Sequence, residues 1–402
     1  MNWQKITFES LYEAPSRNGI YKSKEFHGSG VRIVNMGEMF EFPFIGSQTM
    51  KSLRVTDDEF EKFGLQSGDL LFARRSLVEE GAGKCALIVD HKEPMVFESS
   101  MIRVRLKRER CDPKFYYYYF KSPSGRSNIT AIVTGVAQKG IRGSDLAKIE
   151  VDNPPLEAQK DIAKILTKYD NLIDNNNRRI ALLEESVHLL YREWFVHLRF
   201  PGCDQVKVVD GVPEGWEKKK LGDICSEIRQ SIHPSETEPQ TPYVGLEHIP
   251  RRSIALTEWG ASEEVSSNKF RFERHDILFG KIRPYFHKVV FAPVSGICSS
   301  DTIIIRPDSE DVYGLVLALA SSVAFVDFSY KTAKEGSKMP RANWKVMQQY
   351  PLLLPPSAIR REFNDFVSSS VQQIEIFIFA NQKMKEARDR LLPRLMNGSI
   401  TV

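Results

Sequence analysis

Cysteine is scarce and scattered in this chain. Its five residues, Cys85, Cys111, Cys203, Cys225 and Cys298, are odd in number and never stand as C-x-x-C, which argues against a disulfide framework and against a zinc site. The eight histidines repeat no metal-ligand spacing. No apolar run approaches the ~20 residues that span a bilayer, and Met1-Asn2-Trp3-Gln4-Lys5 lacks the apolar stretch of a secretory signal. A cytoplasmic protein is expected. With 42% hydrophobic and 27% charged residues over 402 positions, composition is that of a globular chain long enough for two cores. The net charge of +4 permits an acidic partner without requiring one.

Catalytic motifs are missing too. Gly81-Ala82-Gly83-Lys84-Cys85 lacks the first glycine of a phosphate loop and has Cys where Ser or Thr would hold magnesium. Asn153-Pro154-Pro155-Leu156 approaches the motif with which amino-methyltransferases hold a flipped adenine, but Leu replaces the stacking aromatic and no glycine-rich cofactor loop lies upstream. A proline pair opening a helix explains it better. The Glu217-Lys218-Lys219 run, a Glu-x-Lys of the kind nucleases use, reads as solvated surface. No catalytic residue, metal site or cofactor is expected in this chain, which reads as a binder.

What is there is a duplication. Gly135-Val136-Ala137-Gln138-Lys139 and Pro154-Pro155 recur 201 positions later as Gly336-Ser337-Lys338-Met339-Pro340 and Pro355-Pro356. Gly68-Asp69-Leu70-Leu71-Phe72 matches His275-Asp276-Ile277-Leu278-Phe279 at an offset of 207, Trp3 matches Trp216 at 213, and Ser99-Ser100 matches Ser299-Ser300 at 200. Offsets that drift this little place insertions in the loops of one repeated fold.

A helical stripe follows each proline pair. From about Leu156 to Val196, apolar positions at Ile162, Leu166, Tyr169, Ile173, Ile180, Leu183, Val187, Leu190 and Trp194 alternate spacings of four and three, with Asn176 filling the gap. That is a coiled-coil heptad in which Asn176 occupies a d position and can pin register. A loop at Asp174–Asn177 dividing two shorter helices is the alternative. From about Ser357 to Met396 the stripe is Phe363, Val367, Ile374, Phe377, Met384, Leu391 and Leu395, with Ser370, Asn381 and Arg388 at the remaining seam positions. Two seams of equal length are expected to pack on each other. The expected organisation is a globular domain over 1–155, a helix over 156–200, a second domain over 201–355 and a second helix over 356–402.

Within the globular halves, turns at Gly68-Asp69 and His275-Asp276 feed buried strands that exit into cations, Arg74 and Arg75 in the first copy, Lys281 and Arg283 in the second. Around the repeated glycines gather Gln138, Lys139 and Arg142 in one copy and Lys334, Lys338 and Arg341 in the other. Loops mixing Arg, Lys and Gln suit DNA, because Arg and Lys pair with guanine edges, Gln pairs with adenine, and all can hold phosphates. Arg103 and Arg105, alternating with Ile102, Val104 and Leu106, are candidate phosphate holders, since Ile303-Ile304-Ile305-Arg306 carries no such basic face. Tyr116 to Tyr119, flanked by Phe115 and Phe120, point all round a helix and are expected to pack rather than stack on bases.

The order of Pro213-x-Gly215-Trp216…Leu221-Gly222-Asp223, Gly68 to Arg74, Gly135 to Ile141, Pro154 to Ala163 and Leu391 to Gly398 resembles the DNA-specificity subunit of type I restriction-modification systems, over the whole chain including its duplication. The resemblance implies an α+β fold, with two duplicated α/β target-recognition domains joined by two long helices in an antiparallel coiled coil. It implies that each domain reads half of a split DNA site. It also implies two methyltransferase subunits carrying S-adenosylmethionine, and two restriction subunits driven by ATP and Mg. Ser357-Ala358-Ile359 stands where the first copy has Leu156-Glu157-Ala158-Gln159, so the two helix starts are unequal as partner surfaces. A stand-alone bipartite DNA-binding regulator or architectural protein is the alternative.

Overall fold

The computed structural model of the protein describes residues 3–136, 138–331 and 339–400. The chain divides into two compact units, Met1–Asn171 with Met384–Val402, and Leu172–Lys383. The double proline ends an extended strand in each copy, Glu150–Asp152 and Pro351–Leu354, because proline disfavours helix in the residue before it and is well placed ahead of a first turn. The helices Leu156–Tyr191 and Ser357–Met396 follow at once.

In the first unit a five-stranded sheet runs in the order Tyr12–Asn18, Met101–Leu106, Leu70–Ala73, Cys85–Ile88, Phe44–Ile45, antiparallel except for the last pair. Helices Pro113–Lys121 and Pro123–Ala131 accompany it, the first capped by Asp112, which accepts from the amides of Lys114 and Phe115. All six aromatics from Phe115 to Phe120 are buried. Phe120 packs edge-on to Phe8 at 4.9 Å and to Phe72 at 5.0 Å, and the buried tyrosine run is core. Ile162 and Leu166 of the first long helix and Leu392, Leu395 and Met396 of the second complete that core. Tyr118 donates to Asp170 at 2.6 Å, and Arg388 is paired with the same carboxylate.

The second unit repeats the plan. Its four-stranded antiparallel sheet has the order Cys225–Ile228, Thr302–Pro307, Ile277–Gly280, Val289–Phe291, strand for strand the first four of the other unit. Gly280 pairs with Thr302 where Ala73 pairs with Met101, so the Ser99-Ser100 landmark corresponds to Ser300-Asp301, one residue on from the reading by sequence alone. Helices Glu310–Ala320 and Val323–Lys331 replace the aromatic pair with aliphatic residues; Val316, Leu317 and Phe325 are fully or almost fully buried. Together these two, bent by 67°, have the length and apolarity of a membrane span, but no single helix among the described residues does.

The first long helix is unbroken through Asp174–Asn177. Asn176 donates to Asn381 at 2.9 Å, and Asn381, buried, donates to Asn177 at 2.9 Å. Trp194 meets Phe363 with ring centres 5.8 Å apart, and the Arg179 guanidinium lies 5.6 Å from the Phe377 ring centre. Early residues of one helix thus face late residues of the other, the antiparallel arrangement. Of the seam, Ile162, Leu166, Ile173, Ile180, Val187, Phe363, Val367 and Ile374 are buried, while Leu183, Leu190, Phe377, Met384 and Leu391 are half-buried.

Candidate nucleic-acid interface

Each repeated Asp begins a fully buried strand and is itself buried. A buried carboxylate needs compensation, and an arginine on the neighbouring strand supplies it. Arg105 donates from Nε and Nη2 to the two oxygens of Asp69 at 2.7 and 2.8 Å. Arg306 does the same to Asp276 at 2.7 Å for both bonds. Hydrogen bonding to Asp69 and Asp276, respectively, holds both guanidinium pKa values up. The landmark Asp therefore marks an internal fork that locks two strands together.

This corrects the assignment of Arg103 and Arg105 as phosphate holders. Arg103 is only 5% exposed, lies 5.9 Å from the Phe97 ring centre, and donates to the carbonyls of Gly64 and Lys62 at 3.0 and 3.4 Å. Burial, aided by the neighbouring Arg105, pushes its pKa down. The second copy does not lack the device either, since Arg306 plays the part of Arg105.

The other candidates lie together. Where the buried strand ends, Arg75–Ser76 forms a ladder with Lys139–Gly140, Gly140 opposite Arg75 and Lys139 opposite Ser76. The Ile141 amide donates to the Arg74 carbonyl at 3.0 Å, and the Arg74 amide to Ser100 at 2.8 Å. In the second unit the Ala342 amide donates to Lys281 at 2.9 Å, the Lys281 amide to Asp301 at 2.8 Å, and Ile282 bridges Arg341. Two sequence-distant sets of cations are thus brought side by side in both copies, by one backbone arrangement. Loops at the end of a sheet can hold such side chains towards solvent without disturbing the core.

Availability differs among them. Arg75, Gln138 and Arg142 are exposed, and their side chains have no hydrogen-bond or ion-pair partner among the described residues. Lys139 stands 3.8 Å from Glu79, a loose exposed pair. Arg74 reaches the Ser99 carbonyl at 3.5 Å, and Lys281 reaches that of Ser300 at 3.2 Å. Arg341 is paired with Asp301 at 2.9 Å. Arg283 sits at φ 50° with its Nε buried and unpartnered. Lys334 and Lys338 lie outside the described residues.

The same loops carry apolar side chains that charge-based reading passes over. Leu77 is 85% exposed, Val78 58% and Val136 97% in the first unit, with Tyr285 43% in the second. They belong to no periodic stripe; the one signal in the sequence is their place beside the repeated cations.

A repeated fold that presents cation-bearing loops at equivalent strand ends defines a duplicated DNA-recognition protein. The description "Type I restriction modification DNA specificity domain" matches residues 1–185 and 213–379, both copies, and the chain belongs to this family of DNA-recognition subunits, which are not themselves catalytic. It is 20% identical to the type I restriction enzyme MjaIX specificity subunit of Methanocaldococcus jannaschii, over 95% of this chain and 89% of that one. It is 28% identical to the EcoKI specificity subunit of Escherichia coli K12 across 40% of this chain and 35% of the relative. The fold is similar to that of the S subunit of a type I restriction-modification system from M. genitalium, with a TM-score of 0.59 at 18% identity over 98% of this chain and 96% of that one.

Proposed function

We propose that each unit reads one half of a split DNA site through its strand-exit ladder, and that the two long helices set the spacing between the halves. The observation that carries this reading is the ladder itself, Arg74–Ser76 with Lys139–Ile141 and Lys281–Ile282 with Arg341–Ala342, built twice from equivalent hydrogen bonds. Arginine and glutamine there can pair with base edges while lysines meet phosphates. Helices of 36 and 40 residues extend over roughly 55 Å at ~1.5 Å per residue, enough to hold two readers one DNA turn apart, ~34–36 Å.

Two methyltransferase subunits carrying S-adenosylmethionine and two ATP- and Mg-dependent restriction subunits complete the proposed complex, acting in the cytoplasm. A face for the methyltransferase is supported by Leu182, Leu189 and Val196, exposed at seven-residue spacing on the first long helix and its closing turn. Single exposed apolar residues are unremarkable, whereas a heptad row is the pattern a partner helix would cover.

The test is reconstitution. The purified chain with S-adenosylmethionine and target DNA should transfer no methyl group, and adding the methyltransferase subunit should yield adenine methylation in both halves of a split site. Methyl transfer by the chain alone, or methylation without a split motif, would refute the proposal.

A further inference from the structure

Three exposed apolar residues of the first unit, Leu77, Val78 and Val136, flank the strand-exit ladder without contributing to its core. Thr134 and Gly140 exchange backbone hydrogen bonds at 2.9 Å in both directions, closing a short hairpin. Gly135 sits in it at φ +103°, and a Cβ there would come within 2.2 Å of the Gln138 carbonyl oxygen, so the turn admits glycine and little else. That hairpin holds Val136 out at 97% exposure. Lys139 opposes Ser76 at the end of that ladder, and Leu77 and Val78 follow directly in the chain. Leu77 and Val78 thus run on from one strand of the ladder and Val136 sits in the hairpin that carries the other, in the loops that also bear Arg75, Gln138 and Arg142.

We infer that Leu77, Val78 and Val136 are base readers that contact thymine 5-methyl groups in the major groove, beside the arginine and glutamine that pair with base edges and the lysine that meets phosphate. The inference rests on the DNA-recognition reading above and names the chemistry of its first half-site. Thymine's methyl is the one apolar group that a base pair offers on its major-groove edge. Three side chains among cations and an amide are too few for a stable protein interface, which takes about 800 Å² from each partner.

The second unit makes the contrast. The offset of 207 that aligns Asp69 with Asp276 sets Tyr285 in the place of Val78 (78 + 207 = 285). Tyr285 is 43% exposed and packs edge-on to Tyr330 at 5.4 Å. Arg283 and His287 around it hold φ of 50° and 53°, left-handed backbone that costs energy in a residue with a side chain. Arg251 covers the ring of Phe286 with its guanidinium 3.9 Å from the ring centre. A fixed phenol, donor and acceptor as well as aromatic face, reads different chemistry from an aliphatic tip. Dependence on thymine methyls belongs to the first half-site.

The experiment uses the chain assembled with its methyltransferase subunit, on duplexes carrying the split motif found by sequencing methylated adenine in host DNA. Each thymine is replaced in turn by deoxyuridine, which removes only the methyl group. In the half-site whose reading changes in Leu77→Ala and Val136→Ala, one or more replacements should weaken binding about fourfold, the equivalent of ~0.8 kcal/mol for one buried methyl-sized group. The variants should be indifferent to those same replacements, with an unchanged salt slope. Val136→Ser, whose side chain carries no methyl group, should show the same indifference while melting as the parent does.

A parent complex insensitive to every replacement overturns the inference, as do variants that keep the full deoxyuridine penalty. Variants that bind DNA normally but no longer assemble would make these tips a protein-docking surface and overturn it too. A parent complex with no sequence-specific binding at all would instead overturn the recognition reading on which this one stands.

Discussion

Arg105 grips Asp69 with two hydrogen bonds of 2.7 and 2.8 Å, and with a side chain 17% exposed against 1% for its partner it does so almost entirely out of water. Removing Arg105 would strand a buried carboxylate, at a cost of the order of 3 kcal/mol. Arg105→Ala should therefore lower the melting midpoint by several degrees. Because the side chain is committed within the unit, DNA binding by the still-folded protein should keep its salt slope. A slope that falls by about one with no loss of stability would return Arg105 to the phosphate holders.

Gln138 and Arg142 should behave in the opposite way. Both are exposed and have no side-chain partner among the described residues, so their joint replacement by Ala is expected to leave melting within ~0.5 kcal/mol of the parent. Reading of one half-site should be relaxed by ~1–3 kcal/mol at a single base pair, with the other half-site untouched. Binding to a panel of half-site variants at several salt concentrations measures both quantities. Equal losses on all sequences would show phosphate contact alone.

Glu184 offers a pH test. One carboxylate oxygen accepts from Ser253 Oγ, the Ile254 amide and the Ala255 amide at 2.6, 2.9 and 3.0 Å. Burial nonetheless outweighs these bonds and holds its pKa above the ordinary carboxylate range. A raised acid pKa means that the folded state binds the proton more tightly than the unfolded chain does. Its stabilising contribution is therefore complete below about pH 4.3 and is lost as pH rises through the folded-state value. Glu184→Gln keeps the acceptor without the charge. It should melt above the parent at pH 7–8, and the gap should close towards pH 4. A gap that widens in acid would reverse the sign of the shift.

The proposed ruler can be lengthened. Matched heptads inserted in both helices beside Asn176 and Asn381, preserving the antiparallel seam, would add ~10 Å of rise, about three base pairs. The preferred spacer between half-sites should shift by that amount while both half-sites keep their sequences. An unchanged spacer preference in the methylation pattern would remove the helices from the role.

Both long helices were legible because heptad spacing is a local property of the chain. Ile162, Leu166, Ile173, Ile180 and Val187 line one side of a 3.6-residue helix whatever packs against them, and Asn176 and Asn381 fall on seam positions by spacing alone, although only the structure joins them. The duplication was equally plain, since glycines, prolines and buried aspartates answer to backbone conformation and solvation that recur wherever the fold does. The availability of a cation is a different kind of property. Arg103 and Arg75 look alike in the sequence, yet one is sealed beneath the carbonyls of Gly64 and Lys62 while the other stands in solvent. Asp69 lies 36 positions from the arginine that neutralises it, and Arg75 lies 65 positions from the Gly140 it pairs with. Periodicity and repetition are written in neighbouring residues, so the sequence by itself determined the two copies and their helices. Desolvation and hydrogen bonding join groups far apart along the chain, and only the tertiary structure decided which cations and apolar tips remain free to meet DNA.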